Sequence, residues 1–220
     1  MKKRSNVACV LAAMAIVGMS ANAAEKTMRI LRSATTTNDT WVAEIGGLDE
    51  GDTLVFDTSD LDVGGGYPVS FGDVTTPRLA GIRVTGHACG LNLSHIAFKL
   101  ADGAEIDIGT SFRVVIKNTS INAGETTPAR IRKTGAGFLQ LESTANGALR
   151  WTLEDGITMV DSDAAFGIVP SVYEADAIIM SGGVLCTDSF SSGGDLTFSS
   201  CPWCRRARRG GSSSFRRCRA

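Results

Sequence analysis

Glu105 and Asp107 stand two residues apart in AEIDIG, and Arg113 and Lys117 lie on the apolar run that follows. In an extended strand that spacing puts both carboxylates on one face. Two carboxyl groups with a cation nearby are the equipment of glycosidic bond cleavage. Solvated strand and turn charge is the competing account, and nothing in the pattern marks a cleft. Other constellations are thinner. Asp57, Asp60 and Asp62 precede Gly64-Gly65-Gly66, which hints at a calcium loop, but the Asp-x-Asp-x-Asp-Gly spacing and the distal Glu are missing. His87 lies two residues from Cys89, and His95 is the other histidine; a zinc site needs three or four ligands. Cys201-x-x-Cys204 is half a zinc ribbon or a redox pair, with Cys218 alone beyond it and no histidine following. No nucleophile elbow, phosphate loop or dinucleotide fingerprint is present. The expectation is no cofactor and no metal, with Glu105, Asp107, Arg113 and Lys117 as the residues of any catalysis.

The elements that would position these residues are short and β-rich. Aromatics make up 6% of the 220 residues, while glycine reaches 25, so a core here is built from small and β-branched side chains. The net charge of −1 conceals a division. Lys2, Lys3 and Arg4 carry +3 and residues 201–220 carry seven arginines, leaving −11 between them. An acidic body excludes a phosphate-binding surface, so no nucleic-acid partner is expected. MKKR, the apolar run Val7–Met19 and Ala21-Asn22-Ala23 form the positive, apolar and small-x-small sections of an export signal. Cleavage is expected after Ala23, with Ala21 and Ala23 as the recognised small residues. The run is too short for a membrane span, which needs about 20 residues. Export permits disulfides, but Cys89 and Cys186 are far apart and are read as buried thiols rather than a bridge.

From Asp52 onward, runs such as TLVFD, GIRVTG, IAFKL, FRVVIKN, ARIRK, GFLQLE and ALRWTLE alternate with turn residues, and no sustained helical period appears. KLADGAEIDIG, TLEDGITMV and IIMSGGVLCT each read as strand, tight glycine turn, strand. Three ordinary hairpins would look the same. Phe138, Val160 and Val184 mark comparable strands 22 and 24 residues apart, a spacing within the range of stacked coils. Ile131, Leu139 and Leu141 alternate with Arg130, Arg132 and Gln140, as expected for one inward and one outward face, and Phe138 falls on the Gln140 side. The fold class expected is all-β, a right-handed parallel β-helix of pectin-lyase-like architecture.

KTGAGFLQLESTANGALRWTLEDGITMVDSDAAFG (133–167) resembles the autotransporter-associated β-strand repeat. Lys133, Thr134, Gly135, Gly137, Leu139 and Leu141 match its opening, and the likeness extends to residue 187. Phe138 stands where that family usually has Thr. The resemblance implies a bacterial autotransporter-like passenger, secreted or at the surface of a Gram-negative-type envelope, without enzymatic activity and with a structural or adhesive role. Implied partners are the export machinery and a surface carbohydrate or protein ligand. A polysaccharide lyase or hydrolase is the alternative. The expected organisation is a signal peptide (1–23), an N-terminal β-rich segment (24–75), solenoid coils (76–200) and an Arg/Cys-rich tail (201–220). Residues 201–220 hold no strands of the kind a translocator barrel needs, so the barrel is expected to be absent or lost by truncation, and Leu, Val, Ile, Thr and Asp vanish together after LTFSS. The tail is therefore read as the product of a frameshift in a longer repeat protein, a truncated passenger whose uncapped last coil would self-associate.

Overall fold

The computed structural model describes residues 23–30, 47–142, 145–168, 170 and 174–187. The signal segment before Ala23, the GGDLTFSS run and the tail lie outside the described residues. Twelve strands form among them: β1 (Glu25–Arg29), β2 (Thr53–Asp57), β3 (Gly66–Thr85), β4 (Gly90–Ile108), β5 (Arg113–Lys117) and β6 (Ser120–Ile121), then β7 (Ala129–Thr134), β8 (Phe138–Glu142), β9 (Leu149–Leu153), β10 (Ile157–Val160), β11 (Ile178–Met180) and β12 (Val184–Thr187). Every strand pair recorded among them is parallel. Two-residue turns cannot join parallel neighbours, so the strand–glycine–strand units are corners of a coil and not hairpins. The chain is a parallel β-solenoid.

One face stacks Glu25, Thr53, Gly81, Glu105, Arg132, Thr152 and Ile179 in a single column. That column is seven levels deep, about six turns. A second face stacks Gly66, Gly90, Arg113, Phe138, Ile157 and Val184. A third, shorter face is built from the middle of β3, β4 and β6, with Ala97 pairing both Thr75 and Ser120. The partner of Phe138 is Ile157, while Val160 stacks on Leu141 and Thr187. The 22- and 24-residue intervals therefore joined residues at different levels of a strand; coil length varies because the corners do. The junction expected at 75/76 falls inside β3, and β1, β2 and β3 pair continuously across it.

Alternation explains the core. Inward residues form apolar columns: Leu54, Ile82 and Ile106 on the first face, and Leu91, Val114 and Leu139 on the second. All six are at most 3% exposed. Ile131, Leu139 and Leu141 are wholly buried as the alternation requires, and Arg130 and Arg132 are half-buried on the outside. Gln140 departs from expectation. It lies on the outward side of β8 yet is only 2% exposed, accepting a hydrogen bond from the Arg113 guanidinium and donating to Glu142 Oε1 at 2.5 Å. Cys89 is a buried free thiol and Cys186 is also buried; the two do not bridge.

Where the third face runs out of strand, two asparagines take over the ladder. Asn122, wholly buried with φ 52°, accepts from Leu100 N at 2.6 Å and donates to Leu100 O at 3.0 Å. Asn146 in the coil above accepts from Ile121 N and donates to Ala165 O, both at 2.7 Å. Each side-chain amide mimics a peptide group where the backbone turns. Asn122→Ala is expected to lower stability by about 2–4 kcal/mol, since it orphans the buried Leu100 N–H, leaves Leu100 O to the Arg78 guanidinium at 3.3 Å, and puts alanine on left-handed backbone. Urea unfolding reads this directly, and a loss under about 1 kcal/mol would show the amide is not holding the corner.

Candidate functional site

The expected catalytic residues are divided between two faces. Glu105 and Asp107 do share the outer side of β4, as their spacing requires, but each is engaged by a neighbouring coil. Glu105 accepts from Thr134 Oγ1 at 2.5 Å and lies 3.8 Å from Arg132, which grips Glu154 through two bonds of 2.8 and 2.9 Å. Asp107 lies 3.3 Å from Arg83, which also pairs with Glu25. Arg113 and Lys117 project from β5 on the second face. Arg113 stacks 5.3 Å over the Phe138 ring, and Lys117 pairs with Glu142 at 3.3 Å. The outward position of Phe138 is thus explained by the guanidinium that covers it. The four residues do not converge on one groove.

Similar pairs recur between coils: Arg78 and Lys99 on Glu125 (2.7 and 3.2 Å), Arg130 on Asp176 and Arg150 on Glu174. Arg78 beside Glu125, and Arg132 beside Glu154, hold those carboxyls below the usual range; the Ser59 hydroxyl does the same for Asp57. A depressed carboxylate contributes stability above its ordinary pKa and loses it as pH falls through the depressed value. Stability is therefore expected to decline below about pH 4.5, and Glu125→Gln to make that decline shallower. Urea midpoints measured from pH 6 to pH 3 check both outcomes.

The other expected constellations resolve into local contacts. Asp57 accepts from Ser59 N and Oγ, Asp60 pairs with Arg29 at 2.7 Å, and the Asp62 amide donates to Tyr67 Oη. His87 Nδ1 meets Leu61 O at 2.9 Å. Among the described residues no group of three His, Cys, Asp or Glu side chains is placed to hold a metal.

The repeat-motif residues make up one corner. Lys133 occupies the inward column between Ile106 and Leu153, a position other coils fill with Leu54 and Ile82. Its side chain is wholly buried, and Nζ donates to Thr134 O and Gly135 O at 2.7 Å and to Asp155 O at 3.2 Å. Burial pushes its pKa down from 10.5 to about 8, while Asp155 and Asp107 pull the other way. Gly135 has φ 69°, and a Cβ there would collide with the Ile108 carbonyl. The motif lysine is a bolt between coils rather than an outward binding group.

The surface feature that sequence reasoning missed is a groove of about 340 Å³ at the corner between the second and third faces. Asp73, His95 and Asn118 stack there in consecutive coils, all with positive φ (63°, 57° and 49°). His95 Nδ1 lies 3.1 Å from Asp73 Oδ1, and the His95 amide donates to Asn118 O. Ser120 and Glu142 also line it. Ser120 makes no hydrogen bond to His95 among the described residues, so the arrangement is not a nucleophile–base pair. A legible signal existed: Asp, His or Asn followed by a β-branched residue at near-coil spacing, those being the non-glycine types most tolerant of left-handed backbone. No family model, curated protein or solved structure matches this chain.

Proposed function

We propose that the protein is an exported, non-enzymatic β-solenoid of the autotransporter-passenger type, serving as a structural or adhesive element at the cell surface. The observation that carries this reading is the engagement of its charged side chains with one another. Glu105 and Asp107, the residues best placed by sequence for catalysis, are tied into bonds between coils, and Arg113 and Lys117 lie on another face. Such pairing suits a stiff rod that presents surface. A surface carbohydrate or protein ligand would meet the open polar groove of Asp73, His95 and Asn118. The leader-like pattern at residues 1–23 and the KTGxG corner at Lys133 support the same assignment.

The test is expression of the whole chain in a Gram-negative host, followed by fractionation and N-terminal mass analysis. A product beginning at Ala24 outside the cytoplasm is expected; an uncleaved cytoplasmic product overturns the export assignment. Purified protein is expected to release no new reducing ends or unsaturated products from polysaccharides. Release abolished by Glu105→Gln would establish the enzyme instead.

A further inference from the structure

We propose that the Asp52 carboxylate is the receptor for the α-ammonium group that cleavage after Ala23 creates on Ala24, so that processing locks the first coil. Asp52 sits in the turn before β2 and is 2% exposed. Its Oδ1 accepts from Ala24 N at 3.0 Å and its Oδ2 from Asp49 N at 2.9 Å. No Lys, Arg or His side chain pairs with it among the described residues. A carboxylate removed from water without a cation is costly, and two amide donors offset only part of that. The atom it touches is the nitrogen of the residue that the small-x-small pattern makes the first of the processed chain.

That nitrogen is held in place from both sides. Thr53 N donates to Ala24 O at 2.9 Å and Ala80 N donates to Asp52 O at 2.9 Å, which joins β1, β2 and β3 around the pair. In hydrolysis of the Ala23–Ala24 bond, water supplies hydroxyl to the Ala23 carbonyl carbon and a proton to the departing nitrogen. At neutral pH the products are a carboxylate on Ala23 and an ammonium on Ala24. The N–H···O⁻ hydrogen bond between half-buried Ala24 and buried Asp52 thereby becomes an ion pair between the same two atoms. Other ionisable groups on the segments packed here are Asp49 and Glu50 of the turn, Glu25 and Lys26 of β1, and Arg78 of β3. The proposal rests on the export reading for the site of cleavage. Its test uses chain prepared to begin at Ala24, so it fails or succeeds independently of whether a host removes the leader.

Four proteins spanning residues 24–220 make the experiment: the free amine and its N-acetylated form, each with Asp52 and with Asp52→Asn. The unfolding equilibrium constant is expected to change at least tenfold on acetylation with Asp52 present, and less than about twofold with Asp52→Asn. The α-amino pKa, read by NMR or by labelling rate on the otherwise unaltered chain, is expected above its ordinary range of about 7.7–8.0. Because that folded value is raised, the added stability is present below about pH 8 and is lost as pH rises through it. Equal acetylation effects with and without Asp52, or an α-amino group titrating in its ordinary range, overturns the proposal. The pKa measurement decides the matter if Asp52→Asn does not fold.

Discussion

Replacing Lys133 by methionine is expected to lower the melting temperature by about 10 °C, corresponding to roughly 3 kcal/mol in a chain of this size. Methionine preserves the volume in the column between Ile106 and Leu153 but leaves the carbonyls of Thr134, Gly135 and Asp155 without their donor. Each buried acceptor so abandoned costs about 1–3 kcal/mol, less what the methionine regains by avoiding burial of a charge. The pH profile separates this from a packing effect. The folded lysine has a pKa of about 8 against an ordinary 10.5, so between those values the unfolded chain binds the proton and the folded chain does not. Stability contributed by this residue therefore rises with pH from about 8 to 10.5. The buried Cys89 thiol, pushed up by burial, acts oppositely above about pH 9, but equally in both proteins. The gap between wild type and Lys133→Met is thus expected to widen across that interval. A constant gap would mean that the lysine is not buried as described.

Gly135→Ala is expected to be as damaging, at about 3–5 kcal/mol, while Gly103→Ala loses only about 1 kcal/mol. Both glycines have positive φ, 69° and 82°, so both substitutions carry the left-handed penalty. The difference is space. A Cβ at Gly103 meets nothing within 4 Å, whereas at Gly135 it strikes the Ile108 carbonyl and lies 2.6 Å from Asp107 Oδ1. Backbone in the adjacent coil cannot step aside without breaking the Gly137 N to Ile108 O bond of 2.8 Å. Guanidinium denaturation of the two variants side by side measures this; equal losses would show that the corner has room to relax.

These corners show how far the sequence could be read. KLADGAEIDIG and TLEDGITMV announce a turn at Gly103 and Gly156, and both glycines do adopt positive φ. The turn chemistry is the same for a hairpin and for a solenoid corner, because both demand only a local reversal. What separates them is which strand lies alongside, and that is a contact between residues 19 positions apart at Phe138 and Ile157 and 28 apart at Glu25 and Thr53. The same limit produced the mismatch of Val160 with Phe138. Strand ends are blurred by two or three residues, so intervals measured from them miss the register, and only the ladder places Ile157 beside Phe138.

The candidate site was legible in part. The spacing of Glu105 and Asp107 correctly placed both on one face, since alternation is a property of any extended strand. Their partners were not legible. Arg83, Arg132 and Thr134 come from the coils below and above, and no local pattern assigns them. Asp73 and Asn118 were passed over and His95 was weighed only as a metal ligand, because each alone is an ordinary polar residue; their stacking into a groove exists only once the coils are aligned.

By itself, the amino-acid sequence determined that this chain forms β-strands punctuated by glycine corners, because the period of two and the corners are local properties of the backbone. The expectation of a core of small and β-branched side chains was wrong, since Leu and Phe fill it beside Ile and Val, with Trp151 wholly buried. The tertiary structure alone decided what the charged and polar residues do. Alternation puts Lys133 on the inward face with Ile131, but only the fold supplies the Thr134, Gly135 and Asp155 carbonyls that hold its buried ammonium. Asp52 looks like a turn residue, yet the neighbouring coil brings Ala24 N against it. In a solenoid the environment of a side chain is set by the coils stacked on it at about 4.8 Å, and one coil's residues carry no record of the next.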